Sequence, residues 1–106
     1  METYKVRITD AALKDMEEIY RYIAETLHAP DTAADQYDRI AEAALSLALF
    51  PERNRLVDFE PERAAGLRRQ LVDNYSVFYV VRGGQVIVTN VLYSASDIEA
   101  RLRERQ

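Results

Sequence analysis

Residues 75–93, YSVFYVVRGGQVIVTNVLY, form the most apolar and β-branched run in the chain and read as two strands joined at Gly83-Gly84. Paired glycines suit a type I′ hairpin turn, because both central residues need φ > 0 and a residue without Cβ takes that conformation freely. Pairing Arg82 with Gln85 then sets Val81 opposite Val86, Tyr79 opposite Val88, Val77 opposite Asn90 and Tyr75 opposite Leu92. Side chains alternate along a strand, so these residues share one face, which is nearly unbroken apolar and is expected to be the core side. The other face carries Ser76, Phe78, Val80, Arg82, Gln85, Ile87, Thr89, Val91 and Tyr93. A mixed face of this kind is where a partner is expected, with Phe78, Val80, Ile87 and Val91 as candidate contacts.

Upstream, Tyr4–Thr9 alternates Tyr4, Val6 and Ile8 against Lys5, Arg7 and Thr9, the pattern of a strand with one buried face. Asp10 offers an N-cap for a helix running to His28, with an apolar stripe through Leu13, Met16, Tyr20, Ile23 and Leu27. Pro30 ends it, and Thr32-x-x-Asp35 reads as the capping box of a second, alanine-rich helix that stops at Pro51. The short connection makes the two helices antiparallel neighbours. Residues 51–66 read as a solvated connector. A strand over 67–72, the turn Asp73-Asn74 and the hairpin follow. Ser96-x-x-Glu99 then opens a short last helix with Arg101, Arg103 and Arg105 near its end, where cations complement the helix dipole. The order is β-α-α-β-β-β-α, a single α+β domain over 1–106. Its helical hairpin packs on a mainly antiparallel four-stranded sheet, in two layers, with the first strand expected beside the last.

Composition narrows the function classes. A chain of 106 residues with 48% hydrophobic and 30% charged residues buries one core and is not a disordered chain. Cysteine is absent, which removes thiolate metal sites and disulfides and fits a cytoplasmic protein. No apolar run approaches a membrane span. The net charge of −4, with the excess of acid in the helical half, argues against strong direct nucleic-acid binding.

No phosphate loop and no metal-ligand cluster is present, and no cofactor is expected. His28, the single histidine, reads as a helix-end or exposed residue, and the helix carboxylates read as a solvated face. The remaining candidates gather around the hairpin. Arg68, Arg69 and Arg82 are candidates for phosphate or target binding, or else surface charges that keep a sheet edge soluble. Tyr93, at the end of the last strand, is either a proton-moving group or an anchor for the last helix.

The ordered set of these features resembles the RelE/ParE superfamily of toxins from bacterial type II toxin–antitoxin modules. The likeness spans nearly the whole chain: the opening strand YKVRIT, a helical hairpin ending in Leu49-Phe50-Pro51, and the run LRRQLVDNYSVFYVVRGGQVIVTNVLYSASDIEARL. Within that run the family's Tyr-x-Val-x-Tyr strand, its tyrosine after the Val-rich strand and its aspartate opening the final helix stand at Tyr75, Val77, Tyr79, Tyr93 and Asp97. The resemblance makes Asp97 a further partner-binding candidate.

What the resemblance implies divides by branch. RelE-like members cut messenger RNA on the ribosome with cations on the phosphates and a Tyr or His near the last strand's end, whereas ParE-like members inhibit DNA gyrase. The basic residue that the nucleases carry just after the first motif tyrosine is Ser76 here, and their later arginine falls at Ser94-Ala95. In-line cleavage builds negative charge that those cations offset. The resemblance therefore implies the ParE-like branch: a growth-inhibiting toxin of a plasmid-stabilisation or addiction module, acting by binding DNA gyrase and neutralised by a cognate antitoxin. The alternatives are a ribosome-dependent endoribonuclease using Tyr93 with Arg68, Arg69 or Arg82, and a member that binds its antitoxin without toxicity.

Overall fold

The computed structural model describes residues 3–104, so Arg105 lies outside the described residues. The elements run β1 (Lys5–Ile8), α1 (Asp10–Arg21), a π-helical turn (Tyr22–Thr26), α2 (Pro30–Ser46), a 3-10 turn (Pro51–Arg53), β2 (Arg68–Val72), β3 (Tyr75–Arg82), β4 (Gln85–Tyr93) and α3 (Ile98–Arg103). They build an α+β domain on a four-stranded sheet of order β1-β4-β3-β2. β3 is antiparallel to both β2 and β4, and β1 lies parallel to β4, beside the last strand as expected.

The caps differ from the sequence reading. Thr9, not Asp10, caps α1: its Oγ1 accepts from Ala12 N at 3.2 Å, and Asp10 is the first helical residue. α2 starts at Pro30 rather than at Thr32, because a proline loses nothing at a first-turn position whose amide has no intrahelical partner. α3 is capped by Asp97, whose Oδ1 accepts from Ala100 N at 3.3 Å, while Ser96 bonds back to Tyr93 O at 2.6 Å. The Gly83-Gly84 turn has φ of 52° and 80°, the double left-handed geometry that the glycines were read to supply.

The hairpin register holds only for its half nearest the turn. Arg82–Gln85, Val81–Val86 and Tyr79–Val88 pair as expected, but a bulge then shifts β4 by one residue. Phe78 meets Asn90, Val77 meets Val91, Ser76 meets Leu92 and Tyr75 meets Tyr93, with Thr89 as the extra residue. Every β4 side chain beyond the bulge changes face. Val91 therefore turns into the core under the helices at 2% exposure, and Asn90 and Leu92 turn away from it.

Asp15 explains why the shift is stable. It lies on the buried face of α1, 2% exposed, and its Oδ2 accepts from Val91 N at 2.9 Å. A buried amide left without a partner is costly, and a carboxylate acceptor makes one of the stronger hydrogen bonds. From the other side, Thr9 donates through Oγ1 to Val88 O at 2.9 Å, tying β1 to the same point of β4.

Two apolar clusters sandwich the sheet. The larger packs Ala12, Met16, Ile40, Ala44 and Leu47 of the helical hairpin against Val72, Val77, Tyr79, Val86, Val88 and Val91. The second gathers Val57, Leu67, Phe78, Leu92 and Leu102, with Phe59, Val80 and Ile98 packed against it. The expected two layers are thus joined by a partial third, made of the connector and α3. Residues 51–66 are not merely a solvated link. Val57 N donates to Leu67 O at 2.9 Å, Arg63 to Val57 O at 3.0 Å, and Glu62, buried to 9% exposure, receives Arg103 from α3 at 3.1 Å.

Candidate functional site

At the end of the sheet where β3 begins and β4 finishes, the helical hairpin leaves a groove of about 670 Å³ bordered by Glu18, Tyr22, Leu27, Tyr75, Tyr93 and Arg101. Its shape follows from the π-helical turn. There the bond from Leu27 N runs to Tyr22 O at 3.1 Å, and this wider turn rotates the stripe expected through Leu27. Ile23 stays inward at 6% exposure, while Tyr22 and Leu27 both project at 55%. His28, at φ 54°, ends the turn. Tyr93 projects at 51% exposure, so three of the large exposed apolar side chains border one groove.

Tyr75 and Tyr93 touch edge to face, with ring centroids 5.8 Å apart. Burial, and then the neighbouring Tyr93 and Tyr22 phenols, push the Tyr75 phenol above its usual value. The pair offers ring surface and hydroxyl groups at the wall of the groove. The Tyr93 hydroxyl has no hydrogen-bond partner among the described residues. Tyr79, the third motif tyrosine, is fully buried. Its hydroxyl donates to Pro51 O at 2.6 Å and accepts from Asn54 at 3.0 Å, so it pins the connector to the core.

On the opposite face of the same sheet end, Ser76 and Ser94 bond to each other through their Oγ atoms at 2.7 Å, and Arg69 Nε donates to Ser76 Oγ at 2.8 Å. The Arg69 guanidinium lies over the Phe78 ring, 5.7 Å from its centroid. The other two arginine candidates sit apart. Arg68 donates to Asn54 O at 2.6 Å and pairs with Glu52 at 3.5 Å, and Arg82 donates to Ala65 O at 2.6 Å, packed against Gly66. Both tie the connector to the sheet. The fold does not bring Arg68 or Arg82 to Tyr93.

The apolar candidates divide by burial. Phe78 is fully buried and Val91 almost so, and neither presents the surface that a docking contact needs. The reasons differ: α3 and the connector cover Phe78, and the bulge turns Val91 to the core. Val80 and Ile87 remain partly exposed on the second face, and Asp97 is exposed at the start of α3. The sequence places Leu27 in an inward stripe and Tyr75 on the core face; Tyr22 and Leu27 reach the groove through a π turn that an uninterrupted helical periodicity conceals, and Tyr75 reaches it half-buried from β3. Among the described residues no group of His, Asp and Glu is arranged to hold a metal ion.

Residues 6–98 match the family model described as ParE toxin of type II toxin-antitoxin system, parDE. No curated protein matches the chain in sequence. Among solved structures, the chromosomal ParDE toxin–antitoxin system from P. aeruginosa aligns with a TM-score of 0.72 at 19% identity, over 86% of this chain and 96% of that one. The toxin–antitoxin complex RelBE2 from Mycobacterium tuberculosis aligns with a TM-score of 0.63 at 21% identity, over 91% and 97%. At these identities the structural likeness speaks for the fold.

Proposed function

The chain belongs to the ParE toxin family of type II toxin–antitoxin systems, and from that premise we propose that it inhibits growth by binding DNA gyrase in the bacterial cytoplasm and is neutralised by a cognate antitoxin. The module around it is a plasmid-stabilisation or addiction module.

The observation that carries this reading is the Ser76–Ser94 hydrogen bond at 2.7 Å. Those two positions are where a nuclease of the superfamily would set cations beside the scissile phosphate. Here two neutral hydroxyls close on each other, and the nearby guanidinium of Arg69 is turned onto Phe78. Ser76 and Ser94 themselves bring no positive charge to offset a phosphorane. The groove of Tyr22, Leu27, Tyr75 and Tyr93 instead has the apolar and aromatic character of a protein-contact surface.

The test is supercoiling of relaxed plasmid by purified gyrase in the presence of this protein. Inhibition at micromolar concentrations is expected, and unaffected supercoiling, with growth arrest still seen in cells, would remove gyrase as the target.

A further inference from the structure

The two walls of the groove belong to different elements. Ile19, Tyr22 and Leu27 come from the helical hairpin, and Asn74, Tyr75 and Tyr93 from the end of the sheet. The hairpin is fixed to the sheet at its far end, where Thr9 N donates to Val88 O at 3.1 Å ahead of α1 and Tyr4 N to Ala48 O at 2.8 Å beyond α2. Further along α1 the Asp15 carboxylate holds Val91 N. Among the described residues no hydrogen bond or ion pair runs from residues 16–35 to the sheet, so the part of the hairpin that forms the wall overhangs.

One clasp on α2 spans this gap. Arg39 grips both oxygens of Asp73 in the β2–β3 turn, Nε to Oδ2 at 2.7 Å and Nη2 to Oδ1 at 2.8 Å. Gln36, one turn earlier on the same face of α2, donates to Oδ2 at 3.1 Å. Asp73 is held at φ 54°, a left-handed conformation that costs a residue with a Cβ, and it leads directly into Asn74 and Tyr75 of the sheet wall. On the helical side, Tyr37, next to Gln36, packs edge to face on Tyr20 of α1 with centroids 6.3 Å apart. Ala29 N, at the start of α2, donates to Ile23 O of the π turn at 3.0 Å. A displacement of α2 at the clasp is therefore carried to Tyr22 and Leu27. Apolar packing beneath α2 is non-directional, whereas a bidentate pair fixes a distance and an angle.

We infer that Arg39 and Gln36 are positioning residues for the groove: by holding Asp73 they set the spacing between its helical wall and its sheet wall, and with it the fit to the target protein. The inference rests on the reading that the groove is a protein-contact surface, but the spacing itself is measurable without a partner. Arg39 and Asp73 are 63% and 34% exposed, so losing the pair costs the fold little and acts on the groove instead.

The experiment is a distance measurement by double electron–electron resonance across the groove. The chain has no cysteine, so Thr26→Cys and Ala95→Cys, both exposed and beside the two walls, take one spin label each in the full-length protein. Arg39→Gln and Asp73→Asn, the latter keeping a residue that tolerates the left-handed turn, are each expected to broaden the distribution and move its mean outward by about 1–2 Å. The double variant is expected to go no further than either single one, as for two partners of one bond. Arg21→Gln, exposed on the same hairpin outside the clasp, is expected to leave the distribution unchanged. On purified gyrase the clasp variants are expected to need about fivefold more protein for half-inhibition of supercoiling, with an unchanged melting temperature. An unchanged distribution in both single variants, or a lowered melting temperature without a change in distance, would overturn the inference. A widened groove with inhibition equal to the parent's would overturn it too, because the spacing would then not serve the target. If the parent itself leaves supercoiling untouched, the gyrase reading fails and the distances alone decide this one.

Discussion

The carboxylate of Asp15 on α1 accepts the amide of Val91 on β4 at 2.9 Å, joining helix and sheet where β4 departs from regular pairing. Through this bond a helix residue decides which face the last strand presents beyond the bulge, and hence where Tyr93 and Ser94 stand.

Removing the acceptor leaves a buried amide exposed to no water. Asp15→Ala is expected to cost about 2 kcal/mol of folding stability, read as a lower urea midpoint with an unchanged slope. A cost within error of zero would show that the bulge is held by packing alone.

Phe78 belongs to the second apolar cluster, between the sheet and α3. Phe78→Ala is expected to destabilise by about 3–5 kcal/mol, with protection of the α3 amides from hydrogen exchange falling first. If Phe78 were a docking contact instead, the substitution would weaken partner binding and leave the melting temperature in place.

Tyr93→Phe separates binding from chemistry. A proton-moving hydroxyl would lose about 100-fold or more in activity. The Tyr93 hydroxyl has no partner among the described residues, and growth arrest on induction of the variant is expected to match the parent, with translated messages intact by primer extension in both.

Leu27 stands at the rim of the groove at 55% exposure. Leu27→Asp is expected to leave the fold within about 0.5 kcal/mol of the parent. Binding of a cognate antitoxin is expected to weaken by about tenfold, measured by calorimetry on the purified pair. Undiminished affinity would place the antitoxin elsewhere.

Two paired carboxylates are expected to contribute to the loss of stability in acid. Hydrogen bonding from Arg103 holds the Glu62 carboxyl below its usual value, and hydrogen bonding from Arg39, then Gln36, does the same for Asp73. Such groups titrate near pH 4 in an unfolded chain. Their folded values are lower, so the pairs stabilise the protein above about pH 4 and lose that effect as pH falls through the lowered values. Melting temperatures from pH 7 to 3 are expected to drop in that acid range, and Glu62→Gln is expected to make the drop shallower. An unaltered profile in the variant would assign the acid loss to other groups.

Much of the fold was legible because it rests on short-range rules. Alternation in Tyr4–Thr9, the helical stripes and Gly83-Gly84 identify β1, the helical hairpin and the β3–β4 turn without tertiary information. The candidate site was less legible. Arg68, Arg69 and Arg82 look alike as surface cations, yet Arg68 and Arg82 are spent on connector carbonyls and Arg69 is turned onto an aromatic ring. Which acceptor an arginine finds depends on the path of residues 51–66, and that stretch has no periodicity to read.

By itself the sequence determined the order of elements, the hairpin turn and the absence of cations at Ser76 and Ser94. Only the tertiary structure decided the bulge at Thr89, the cover over Phe78 and the outward turn of Tyr22 and Leu27. The wider π turn sets the last of these, and the first two share one physical reason. A run such as Val88-Thr89-Asn90-Val91 accepts either face with no local penalty, since its backbone propensity is the same in both registers. The choice falls to distant groups: the Asp15 acceptor, the helices that bury Val91, and Leu102 of α3, which closes over the side chains turned the other way.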